Sequence, residues 1–121
     1  MIQLKRAYEA PSSTDGARFL VDRLWPRGVK KSSLEIKAWL KDTSPSNDLR
    51  KQFHHDPARW SEFRRHYFAE LKENPASWIS ILEAARAGTV TLVYSAHDSE
   101  HNNAVALKEF LMERLGALDK D

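Results

Sequence analysis

A chain of 121 residues, 41% hydrophobic and 30% charged, has the size of one domain and is too apolar to be disordered. Its formal net charge of +2 is too small a balance to imply nucleic-acid binding, and the absence of cysteine excludes disulfides, thiolate metal sites and cysteine nucleophiles. No apolar run approaches the roughly 18 residues of a membrane span and no basic-then-apolar segment opens the chain, so a cytoplasmic protein without a membrane partner is expected.

In chain order, residues 2–7 are predicted as a short strand at a sheet edge. A turn-rich loop follows, with Asp15-Gly16 as a strong turn dipeptide. Residues 17–24 are predicted as the second strand, which breaks abruptly at Trp25-Pro26-Arg27-Gly28. Trp25 precedes proline and is biased to an extended conformation, while Pro26 has no N–H for a ladder. Alternation along Leu20, Asp22 and Leu24 against Phe19, Val21 and Arg23 puts a charge on a face that a buried strand would fill with apolar atoms. Such a charge is costly unless it is paired or stands at a solvated edge.

Residues 30–33 read as a loop. Residues 34–41 fit either a strand or a helical face, with an extended segment preferred. Three pairs, Ser44-Pro45, Asp56-Pro57 and Asn74-Pro75, carry the signature of a helix start: a capping side chain followed by a proline that wastes no donor. Trp60, Phe63, Tyr67 and Leu71 form an apolar stripe on the second of these helices, and Gly88 is expected to close the third. Residues 89–95 are rich in β-branched side chains and form the most secure strand. A final helix carries Ala104, Leu107, Leu111 and Leu115 on one face, with Asp98 or Ser99 as its cap and Gly116 as its end. This order implies an α/β fold: a small three-layer domain whose mainly parallel sheet has three or four strands and is flanked by helices.

If the strands ending at Leu24 and Ser95 are parallel neighbours, their following loops open on one edge, where open α/β sheets hold ligands. Arg23 and Arg27 would then bind an anion, with Trp25 facing the pocket. Ser95, Asp98, His101 and Asn102 would contribute from the second loop, and Asp22 or His97 would move protons. The competing readings are structural: Asp22 paired with an arginine, and Asp98 acting only as a cap. The loops lack a glycine-rich phosphate cradle, so no nucleotide motif and no cofactor is implied. His97 and His101 are four apart, but His97 precedes the helix, and no metal set is assigned. A second class of function, a nucleic-acid-binding or regulatory module, would use the basic stretch Arg59, Arg64 and Arg65. It lacks the aromatic interleaving of a known RNA motif. A third reading, a purely structural or interaction domain, requires Arg23 and Arg27 to be satisfied by internal carboxylates.

The string Val21-Asp-Arg-Leu-Trp-Pro-Arg-Gly28 resembles the YeaO-like proteins, domain of unknown function family 488. Pro45-Ser46 with Leu49-Arg50, Phe63 through Tyr67 to Glu70-Leu71, and Thr91-Leu92 through His101-Asn102 with Ala104-Val105 carry the same resemblance. It covers almost the whole chain and implies a small cytoplasmic bacterial α/β domain, with no established activity. A broader branch of the family has Asp-Val-Arg where this chain has Asp22-Arg23, and Cys-His-Arg where it has His101-Asn102-Asn103. The thiol and the arginine are thus missing here, so thiol chemistry does not carry over.

Overall fold

The computed structural model describes residues 1–54 and 56–119. Four strands, β1 (Ile2–Arg6), β2 (Ala17–Leu20), β3 (Ala38–Trp39) and β4 (Val90–Tyr94), form one sheet in the order β1-β4-β2-β3, with every pairing parallel. The expected neighbourhood holds: Leu20 of β2 is in register with Val93 of β4, and Arg6 of β1 with Tyr94. β2 is shorter than the sequence suggests. Its ladder ends with the Val21 N–H on the Val93 carbonyl (3.1 Å), four residues before the predicted break at Trp25.

The helices are α1 (Lys31–Leu34), α2 (Asn47–Phe53), α3 (Trp60–Glu73), α4 (Ile79–Ala87) and α5 (Asn103–Asp119). Strand alternation divides the core in two. Phe19 and Val21 of the β2 segment, with Val90, Leu92 and Tyr94 of β4, face the main core. They meet Phe63, Tyr67 and Leu71 of α3, Ile81 and Leu82 of α4, and Leu107, Phe110 and Leu111 of α5. Burial of each such side chain contributes about 1.5–3 kcal/mol. Leu20 and Val93 point the other way, into a smaller cluster with Leu34 that is roofed by Trp25, Val29, Ile36 and Trp39. That third layer is thin, built from α1 and loop rather than from a long helix.

Several local expectations are corrected. Residues 31–34 form a helical turn rather than a loop, and only Ala38–Trp39 of the ambiguous segment is strand. Ser44 does not cap α2. Ser46 does, its hydroxyl accepting the Leu49 N–H while donating to Glu70 (2.6 Å). Asp56 caps as expected, with the Ala58 N–H at 3.0 Å, although a 3-10 turn precedes α3 proper. Asn74 makes no side-chain cap, and α4 begins only after Trp78. Helix α5 runs through Gly116 to Asp119, because glycine inside a helix costs only about 1 kcal/mol and Gly116 adopts no positive φ.

Candidate functional site

The chain leaves β2 and β4 toward opposite faces of the sheet. After β2 it runs over the smaller cluster through Trp25, Val29 and Leu34, whereas after β4 it enters α5 on the main-core side. Adjacent parallel strands that part in this way leave a crevice at their carboxyl ends. Here the crevice is a cleft of about 940 Å³, within the range of small-molecule sites.

Asp22, the second residue beyond β2, closes the floor. Its Oδ2 accepts the backbone N–H (2.9 Å) and the hydroxyl (2.8 Å) of Ser95, the first residue beyond β4. The backbone is pinned as well: the Trp39 indole donates to the Asp22 carbonyl (2.7 Å), and the Asn103 amide to the Val21 carbonyl (3.0 Å). Asp22 is therefore paired with a serine, and among the described residues it forms no ion pair with an arginine. Trp25 lines the cleft half-buried, fixed by its indole on the Val29 carbonyl (2.6 Å) and edge-on to Trp39.

The walls are cationic. Arg6, Arg23, Arg27, Arg50 and Lys51 all line the cleft, and Asp22 is the sole carboxylate among the lining residues. Among the described residues, none of these five cations forms an ion pair. Arg6 donates to the Ser95 and Ala96 carbonyls (both 3.0 Å). Arg23 donates to the Pro45 carbonyl (3.2 Å), and its Nε is buried with no hydrogen-bond partner among the described residues. A buried donor left unpaired costs about 1–3 kcal/mol.

The second loop is divided. Ser95, His97 and Asn102 line the cleft, whereas Asp98 and His101 do not. Asp98 turns inward on its own loop, accepting the Glu100 and His101 N–H groups and the His101 ring. The Glu100 amide first, with the His101 amide and ring, outweighs partial desolvation and holds the Asp98 carboxyl below its ordinary range. His101 packs edge-on against Trp60. Asn102 is buried and accepts the Val105 N–H, capping α5 in place of Asp98 or Ser99. The Glu100, His101 and Val105 N–H groups are therefore engaged internally and do not face the cleft as free donors.

Arg6, Tyr8, Arg50, Lys51 and Asn103 are lining residues that sequence reasoning missed. The pairing of β1 with β4 brings Arg6 to the edge, and α2 delivers Arg50 and Lys51 from its last turn. The alternative basic face is partly neutralised, since Arg59 pairs with Asp56 and Arg64 with Glu109. Among the described residues no three histidine, aspartate or glutamate side chains cluster to hold a metal, and no helix is long and apolar enough to cross a membrane.

A family pattern described as the inactive DUF488-N3 subclade matches residues 1–121. The chain belongs to this DUF488 subclade. Among its relatives is the uncharacterized protein YeaO of Escherichia coli, 41% identical over 110 residues that cover 91% of this chain and 96% of that protein. Uncharacterized proteins of Mycobacterium tuberculosis and Mycobacterium bovis are each 34% identical over 113 residues, covering 93% of this chain and 95% of theirs. No solved structure matches the chain significantly. The resemblance to YeaO-like DUF488 proteins is thereby shown over the full length, and the relatives carry no stated activity.

Proposed function

We propose that this DUF488 protein binds a small anionic ligand, bearing phosphate or carboxylate, in the cleft at the carboxyl edge of its sheet. One observation carries the reading: five lysine and arginine side chains line a cleft of ligand size, and none is neutralised by an ion pair among the described residues. A structural role for Arg23 and Arg27 would require internal carboxylates, and among the described residues neither forms an ion pair. Convergent unpaired cations with low-dielectric walls raise the local concentration of anions.

The reading is binding rather than turnover. Asp22 Oδ2 is occupied as a clasp between strand ends, and His97 stands exposed at the rim with no carboxylate paired to it among the described residues. The description of the subclade as inactive supports the same choice. A cytoplasmic location belongs to this proposal, as phosphorylated and carboxylated metabolites are concentrated there.

Thermal unfolding of the full chain in phosphate, pyrophosphate and citrate tests the proposal. The wild type should melt at higher temperature with added anion, and Arg27→Ala should lose most of that response while keeping its circular dichroism spectrum. An equal response in Arg27→Ala and in Arg23→Gln would overturn it.

A further inference from the structure

We infer that the ligand is a nucleoside carrying at least two phosphates; the inference rests on the anion-binding reading and names the ligand class. The first argument is charge. Five cations against one carboxylate leave a surplus that one phosphate monoester only half offsets, whereas a diphosphate or triphosphate comes close to matching it.

The second argument is spacing. β1 and β2 flank β4, so Arg6 at the end of β1 and the end of β2, from which the chain continues to Arg23, are two strand separations apart, about 10 Å. Their anchors are different. Arg6 is held on the Ser95 and Ala96 carbonyls beyond β4, and Arg23 on the Pro45 carbonyl at the approach to α2. Arg50 and Lys51 extend the positive wall further along α2. An elongated polyanion spans such a track, and a single tetrahedral anion meets only part of it.

The third argument is the rim. Tyr8 and Leu24 line the same cleft with 51% and 71% of their surface exposed, and the half-buried Trp25 lines it too. Large apolar side chains left in solvent at the mouth of a ligand-sized cleft mark a surface that a ligand covers. The Tyr8 hydroxyl donates to the Arg27 carbonyl (3.2 Å), which fixes its ring next to the cationic wall. Aromatic side chains offer flat faces on which a heteroaromatic base stacks without sequence preference. Charge on the wall and flat apolar surface at the mouth are the two halves of a nucleoside diphosphate. The phosphates would lie on side-chain cations and not on a glycine-rich loop, which explains why the chain shows no nucleotide motif.

Titration calorimetry on the full chain separates the possibilities, using pyrophosphate, the four common ribonucleoside diphosphates, the corresponding nucleosides and an alkyl diphosphate. At least one nucleoside diphosphate should bind tenfold or more tighter than pyrophosphate, with no measurable binding of the nucleoside alone. Leu24→Ser, which removes no hydrogen bond from any of the cations, should narrow the gap between that nucleotide and pyrophosphate to about threefold, and Tyr8→Ala should weaken the nucleotide by a larger factor than it weakens pyrophosphate. Pyrophosphate or the alkyl diphosphate binding as tightly as every nucleotide would sink the nucleoside inference and leave the anion reading standing. Failure of every anion to bind would sink both.

Discussion

Asp22 and Ser95 join the ends of β2 and β4 through one carboxylate oxygen, which accepts both the Ser95 amide and its hydroxyl at 2.9 and 2.8 Å. The clasp ties the two strand ends together and places a negative charge inside an otherwise cationic wall. Replacing Asp22 with alanine should cost about 2 kcal/mol in chemical denaturation, because the half-buried Ser95 amide loses a charged acceptor. Asp22→Asn keeps an oxygen able to accept both bonds and removes the charge, so its stability loss should stay below about 1 kcal/mol. Anion affinity should then rise roughly threefold as the repulsion disappears. A fall in affinity on Asp22→Asn would mean that the carboxylate itself contacts the ligand.

Much of this site was legible before the fold was known. Strand, proline break and helix start are local signals, and together they put Asp22, Arg23, Trp25, Arg27, Ser95, His97 and Asn102 on one sheet edge. Arg6, Arg50 and Lys51 were not legible, for a physical reason. Their presence depends on β1 pairing with β4 across almost ninety residues of chain and on the packing of α2, and no local pattern encodes either. A basic residue in the last turn of a short helix reads as a solvated face until its neighbours are known. The capping error at Ser44 has a similar origin. Ser44 and Ser46 both flank Pro45, and the choice falls to Ser46 because Glu70, twenty-four residues away, takes its hydroxyl and amide. The extra length of α5 was hidden because a glycine ends a helix only where its backbone leaves helical dihedrals, as Gly88 does after α4 and Gly116 does not.

Two glycines test the difference between strain and collision. Gly16 (φ 65°) and Gly28 (φ 79°) both adopt positive φ. A Cβ on Gly16 would sit 2.1 Å from the Thr89 carbonyl oxygen, where the chain enters β4, whereas one on Gly28 would meet nothing within 4 Å. Gly28→Ala should therefore cost about 1 kcal/mol, the left-handed penalty alone. Gly16→Ala should cost about 3 kcal/mol or more, since backbone must move. Equal losses in urea denaturation would show that the Gly16 turn gives way cheaply.

The thin third layer holds a buried ionic knot. Asp15 Oδ2 accepts from Arg18 at 2.7 Å, Lys5 reaches the same carboxylate at 3.0 Å, and Arg18 also donates to the Leu34 carbonyl from two nitrogens. Burial pushes the Asp15 pKa up, but the Ser12 amide with Lys5 and Arg18 outweighs it, so the carboxyl lies below its ordinary 3.8. A depressed folded-state pKa gives stability that is fully present above the unfolded value, near pH 4, and is lost as pH falls through the folded value. The wild type should lose melting temperature steeply between roughly pH 4 and pH 2, and Asp15→Asn should show a shallower slope across that window. At neutral pH, Asp15→Ala should cost about 3 kcal/mol by stranding the Arg18 guanidinium without a counter-charge.

Tyr67 governs the alkaline limb. Its ring is 1% exposed in the main core, and its hydroxyl donates to the Thr43 carbonyl, tying α3 to the segment that leads into α2. Burial, with the charges of Glu70 and Asp22 adding to it, pushes the phenol well above its ordinary value of 10.0, and burial raises Tyr94 in the same direction. The sign follows from proton counts. Above about pH 10 the unfolded chain releases a proton that the folded chain retains, so unfolding gains and stability declines with rising pH. Tyr67→Phe removes that proton from both states and should flatten the decline between roughly pH 9 and pH 11.5, at a cost of about 1–2 kcal/mol at neutral pH for the orphaned Thr43 carbonyl. Absorbance titration near 295 nm provides the independent check: Tyr67 should ionise only together with unfolding. An ionisation assigned to Tyr67 by comparison with Tyr67→Phe, and seen while the fold persists, would show that the hydroxyl reaches solvent through the hollow beside Glu70 and Ser77.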